Sequence, residues 1–181
     1  MTAELAPPAA TGPEATKATE RDVLDCLARR YGRRYGNGYR WAYAEHVKSA
    51  TGYTPSASPA AQRLRIADAI ALDCWPSSGM EIHGHEVKVS RSDWLAELRD
   101  PDKAEAFRLH VDRWWLVVPD RAIVRDDLPE GWGLMVATPG EGARVVKRAS
   151  RLSPVDFPRP MLAALMRAVA ATSARRDRIP Q

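Results

Sequence analysis

Leu64-Arg65-Ile66-Ala67-Asp68-Ala69-Ile70-Ala71-Leu72 and Met80-Glu81-Ile82-His83-Gly84-His85-Glu86-Val87-Lys88-Val89-Ser90 are two apolar runs with charges placed where a core strand rarely carries them. Side chains alternate faces along a strand, so Leu64, Ile66, Ile70 and Leu72 share a face with Asp68. In the second run Met80, Ile82, Gly84, Glu86, Lys88 and Ser90 fall on one face; Glu81, His83, His85, Val87 and Val89 fall on the other. The intervening Asp73-Cys74-Trp75-Pro76-Ser77-Ser78-Gly79 is rich in turn formers, which predicts a hairpin that carries Asp68 towards Glu86.

Two carboxylates about 4 Å apart repel by roughly 4 kcal/mol at an effective dielectric near 20, and partial burial adds lost hydration. A divalent cation bound by carboxylate oxygens offsets that cost, and an adjacent lysine can hold an anionic substrate or polarise a water. The competing interpretation is structural, with Asp68 paired to Arg65 or Lys88 and Glu86 paired to Lys88. Asp73 rivals Asp68, but it has the opposite parity and sits at the end of the run. His83 and His85 form an HxH with the donors of a transition-metal site, yet they point away from Glu86 and Lys88.

Working outward, Thr19 and Asp22 resemble a capping box, and Val23, Leu24, Leu27 and Tyr31 recur at helical spacing, which predicts a helix over 20–30. Arg29 to Trp41 alternates arginines with aromatics and glycines. Arginine neutralises phosphates and aromatic rings stack on unpaired bases, so Arg30, Arg33, Arg34 and Arg40 are candidate nucleic-acid contacts, as is Arg91 further on. Tyr39, Tyr43 and Val47 at a spacing of four predict a second helix over 39–49, with Glu45 off the centre of its stripe. Residues Thr51 to Ala61 read as a loop.

Beyond the hairpin, Ser90 or Ser92 caps a helix running to Arg99, and Asp100-Pro101 starts another. Trp114 to Val118 is apolar on both faces, the mark of a covered central strand. Ala122–Val124, Gly133–Ala137 and Ala143–Val146 read as short strands. A last helix over 160–171 buries Leu162, Leu165, Met166 and Val169. Lys103, His110 and Asp112 are placed to approach the charged strands. Trp75, Trp94, Trp114, Trp115 and Trp132 read as core rather than as stacking platforms.

A length of 181 residues suits one domain, here 19–172, between a disordered leader over 1–18 and a basic flexible tail over 173–181. Hydrophobic residues at 45% and charged residues at 28% exclude a membrane or wholly disordered chain. Cys26 and Cys74 have neither zinc-ligand spacing nor a disulfide framework, which suits a reducing cytoplasm. No run is long enough to span a membrane and no secretion signal opens the chain.

Asp68 followed by Glu86-Val87-Lys88, together with His85 to Leu95, Val111-Asp112-Arg113-Trp114-Trp115-Leu116-Val117-Val118-Pro119 and Leu128-Pro129-Glu130-Gly131-Trp132-Gly133-Leu134-Met135-Val136, resembles the MmcB-like DNA repair branch of the PD-(D/E)XK nuclease superfamily. The resemblance spans about Arg40 to Arg148 and departs from the usual pattern at Ala67, where a proline is common. It implies an α/β restriction-endonuclease-like core, a mixed sheet flanked by helices. It also implies metal-dependent hydrolysis of DNA phosphodiesters in repair or recombination, with Mg²⁺, or Mn²⁺ in its place, and allows a homodimer. Asp68 and Glu86 would ligate the metal with the Val87 carbonyl, Lys88 would orient or help deprotonate the attacking water, and Glu45 would be the helix glutamate that completes many such sites. The alternative is a DNA-binding module of the same fold that cuts weakly or not at all.

Overall fold

The structure is a computed structural model that describes residues 17–36, 38–50 and 64–177. Residues 1–16 of the expected leader, the loop expected over Thr51 to Ala61 and residues 178–181 lie outside that description.

The first helix, α1 (Glu20–Tyr31), starts where Thr19 and Asp22 satisfy each other's backbone: Thr19 Oγ1 accepts the Asp22 N–H at 3.2 Å and Asp22 Oδ2 accepts the Thr19 N–H at 2.8 Å. Acids occupy its first turn and Arg29 and Arg30 its last, each the favourable end of the helix dipole. A two-residue hairpin follows, β1 (Arg34–Tyr35) with β2 (Gly38–Tyr39).

The chain then enters β3 (Trp41–Lys48), which corrects the second helix expected over 39–49. A spacing of four keeps residues on one face of a strand as well as of a helix, so Tyr43 and Val47 are compatible with either. A left-handed residue, His46 at φ +50°, adds to the ambiguity: Ala44 and Val47, three apart, both join one core cluster, as helix neighbours would.

Next come β4 (Ile66–Asp73) and β5 (Ile82–Val87), an antiparallel pair around a short 3-10 turn at Pro76–Ser78, as the hairpin expectation had it. Ser90 caps α2 (Arg91–Leu98), accepting the Asp93 N–H, and α3 (Asp102–Arg108) follows. The covered strand is β6 (Arg113–Val118), parallel to β5 and to β7 (Gly133–Thr138); β8 (Gly142–Lys147) closes an antiparallel hairpin with β7. The strand expected over Ala122–Val124 is instead a 3-10 turn, Arg121–Ile123, begun by Asp120 Oδ1 accepting the Ala122 N–H at 2.8 Å.

The fold is therefore α/β, a six-stranded mixed sheet in the order β3-β4-β5-β6-β7-β8. Helix α1 covers one face over Ala69, Ala71, Val87, Trp115 and Val117. The other face packs Ile70, Trp114 and Leu116 against Trp94, Phe107 and Trp132. Trp114 fits because Gly84 faces it across the strand pair, where a Cβ would meet the indole at 2.3 Å.

The last helix, α4 (Arg159–Arg176), packs along the edge strand β3, and its Thr172 Oγ1 accepts the Glu45 N–H at 3.0 Å, blunting a sheet edge that would otherwise be open. It takes in Arg175 and Arg176, so residues 173–176 of the expected tail are helical, with Arg175 paired to Glu45. Its buried residues are Met161, Ala164 and Thr172; of the stripe expected from the sequence, Leu165 and Val169 pack against the core, whereas Leu162 and Met166 are exposed. Among the described residues no helix is long and apolar enough to cross a membrane.

Candidate functional site

The register that pairs Ala69 with His85 sets Asp68 beside Glu86 at one end of the β4–β5 pair, and Lys88 lies just past the end of β5. Asp68 Oδ2 accepts the Val87 N–H at 2.7 Å, so Val87 enters the site through its amide. Glu86 is almost wholly buried, and its Oε1 accepts from Lys88 Nζ at 2.5 Å and from Lys103 Nζ at 2.6 Å. The three residues the sequence pointed to converge, and Lys103 joins them from α3. His110 and Asp112 do not: His110 is hydrogen-bonded to the Val155 and Asp156 carbonyls, and Asp112 Oδ2 accepts the Ile82 N–H at the far end of β5.

A third acid completes the cluster. Glu97, in the last turn of α2, is buried and takes both lysines on Oε2, at 2.9 Å from Lys88 and 2.7 Å from Lys103, while its Oε1 is buried with no partner. Its signal in sequence was faint: Glu97 follows Trp94 by three residues, which puts it next to the apolar side of α2.

The cluster's electrostatics follow from burial. Loss of hydration, then the nearby Asp68 charge, pushes the Glu86 carboxyl up to about 7. Burial also raises Asp68, partly offset by the Val87 amide and by Lys88. Burial pushes Glu97 up too, but hydrogen bonds with Lys103, Glu86 and Lys88 outweigh it and leave its carboxyl below the usual range. Burial pulls Lys88 down, yet Glu86 and Glu97 together raise it, so its amine is a firm cation. A lysine held protonated acts as a donor and a charge, which favours orienting over deprotonating a water.

Asp68 also neighbours Glu20, in the first turn of α1, and His46, at the left-handed kink of β3; ligand atoms of the three fall within 4.8 Å of one another. The hard carboxylate oxygens of Asp68, Glu86 and Glu20 suit Mg²⁺ or Mn²⁺, and the Asp68–Glu86 repulsion is what a divalent ion would relieve. The set therefore fits the metal.

Glu45 is elsewhere. It is buried under a fork of two arginines, with Arg21 Nη1 at 2.7 Å and Arg175 Nη2 at 2.7 Å, and ties α1 and α4 to the sheet edge. That placement corrects the helix-glutamate role given to it. Asp73 pairs with Arg40 at 2.5 Å, which leaves Asp68 as the acid of β4 at the site. His83 and His85 lie on the α1 face; His85 Nε2 is 2.8 Å from the Tyr31 hydroxyl and its Nδ1 is 3.3 Å from the Ala69 carbonyl oxygen.

The arginines divide. Arg30 donates to the Ala143 carbonyl, Arg40 is taken by Asp73, and Arg91 pairs with Asp127 and donates to the Ile123 carbonyl. Arg33 and Arg34 are exposed on the small hairpin, stacked over the rings of Tyr35 and Tyr39 at 5.8 and 5.5 Å. Trp94, Trp114, Trp115 and Trp132 are core, as expected, but Trp75 is 40% exposed.

No family model matches the chain, and no curated protein matches it. Among solved structures, a protein of unknown function from Silicibacter pomeroyi is similar, with a TM-score of 0.56 and 21% identity over 87% of this chain and 87% of that one. At that identity the likeness concerns the fold alone.

Proposed function

We propose that this chain is a Mg²⁺-dependent deoxyribonuclease of the PD-(D/E)XK type, with a restriction-endonuclease-like core, that hydrolyses DNA phosphodiesters in repair or recombination in the cytoplasm. The observation that carries the reading is the convergence of Asp68, Glu86 and Lys88 at one end of two neighbouring strands, with both acids pushed upward in pKa. The order of elements supports it: a helix bearing an acid, a strand bearing Asp68, a strand bearing Glu86 and Lys88, then helices and a covered strand. Glu20 takes the part first expected of Glu45.

In this reading Asp68 and Glu86 hold the ion, with Glu20 and His46 beside it. When bound, the metal lowers the pKa of a ligand water and withdraws charge from the phosphate. Lys88, held on Glu86 and Glu97, donates to the attacking water or to a phosphate oxygen and stabilises the negative charge that develops there. Glu97 keeps the lysine aimed.

The test is a cleavage assay on single strands, duplexes, flaps and junctions with Mg²⁺ or Mn²⁺. At least one substrate is cut with metal and spared in chelator, and Lys88→Ala lowers the rate at least a hundredfold, on the order of one lost transition-state charge contact, with DNA binding retained. Binding without cutting across all substrates and both metals gives the reading over to the binding module.

A further inference from the structure

We infer that the seam between β3 and α4 is a binding track for single-stranded DNA leading to the carboxylate–lysine site, an inference that rests on the nuclease reading for the fate of the strand at its end. Two open clefts lie along the seam and share Arg175. The first, about 630 Å³, has an apolar floor that includes Leu64, Ala164 and Ala168, and the exposed Lys48 and Arg167 on its rim. His46 lines it too, and the His46 imidazole clusters with Asp68, so this cleft opens onto the acids. The second, about 840 Å³, presents the rings of Tyr39 and Trp41 beside Arg29 and Arg176.

Charge and shape agree on the occupant. Lysines and arginines outnumber carboxylates along the two clefts, and two of the acids, Glu45 and Asp25, are already taken by Arg21 and Arg175. The field left over attracts phosphate. Tyr39 is 53% exposed, with the Arg34 guanidinium over one face of its ring, and a strand with unpaired bases can stack on the opposite face while its phosphates follow the cationic rim. A duplex keeps its bases stacked on each other and has no face to give. From Trp41 to His46 the extended backbone covers about 17 Å, which sets the length of strand leading to the acids.

The test is fluorescence anisotropy of a labelled single-stranded oligodeoxynucleotide, in chelator, on protein carrying Lys88→Ala so that nothing is cut. Adding Lys48→Glu with Arg167→Glu weakens binding at least about tenfold and makes the salt dependence shallower by about 1.4 in log–log slope, two phosphate contacts' worth. Tyr39→Ala weakens it about fivefold or more. The same charge change on the far edge, Arg144→Glu with Lys147→Glu on β8, alters it less than about twofold. Seam variants no weaker than the β8 control, a duplex bound as tightly as the single strand, or no binding at all would overturn the track. Binding through the seam by a wild-type protein that never cuts leaves the track standing and removes the nuclease; cutting that is indifferent to the seam variants does the reverse.

Discussion

His85 and Glu86 are neighbours that titrate in opposite senses. Burial depresses the His85 imidazole to about 3 from 6.5, whereas burial and Asp68 push Glu86 up to about 7 from 4.5. An unfolded chain takes up a proton on His85 near pH 6.5 that the folded chain refuses until about pH 3, so His85 costs stability as pH falls below 6.5. Glu86 works the other way: the folded chain holds its proton below about pH 7 and the unfolded chain only below 4.5, so its burial penalty fades as pH falls through 7. Between pH 7.5 and 5.5, in chelator, His85→Gln therefore gains on the wild type by about 1.4 kcal/mol, one pH unit of one proton. Urea unfolding at the two pH values measures this. An unchanged difference would mean that His85 is solvated and charged in the folded chain. Tyr31, whose hydroxyl burial pushes up to about 12, stays protonated throughout and keeps donating to the neutral ring.

Strand β3 does two jobs, placing His46 near Asp68 and Glu45 under the arginines of α1 and α4. Glu45→Gln removes the charge that both guanidiniums face, and with each arginine partly exposed the loss is about 2 kcal/mol rather than the larger cost of a fully buried pair. Thermal melting shows the loss, while the melting gain from Mg²⁺ stays at the wild-type value. A lost Mg²⁺ gain with stability in chelator unchanged would return Glu45 to the site. The same strand marks where the sequence was hard to read. Charged residues inside apolar runs exposed the β4–β5 hairpin and its three candidate side chains. For β3 the spacing of four fits both periods, and the aromatic Trp41 and Tyr43 were the only local sign of a strand. Glu20 stayed hidden because a first-turn acid is already explained by the helix dipole, and Glu97 because an acid on a short helix carries no mark of burial.

At the scale of the molecule, six strands divide the labour. In the parallel centre β5-β6-β7, strands β6 and β7 bury apolar side chains on both faces, and the antiparallel flank β3-β4-β5 presents the charged groups at its end. Strands β6 and β7 were legible from their unbroken apolar runs, and the hairpins from their turns. The position of α4 was not, since nothing local told that Thr172 and Arg175 would meet Glu45 from 127 and 130 residues away. The central claim is that the charged end holds a divalent ion through Asp68, and thermal melting with and without Mg²⁺ tests it most directly. At Mg²⁺ one hundred times its dissociation constant the wild type gains about 2.7 kcal/mol, roughly 5–10 °C for a domain of this size. Asp68→Asn melts higher than the wild type in chelator, because the repulsion with Glu86 is gone, and loses most of the gain with Mg²⁺. A variant that keeps the full gain would contradict the account.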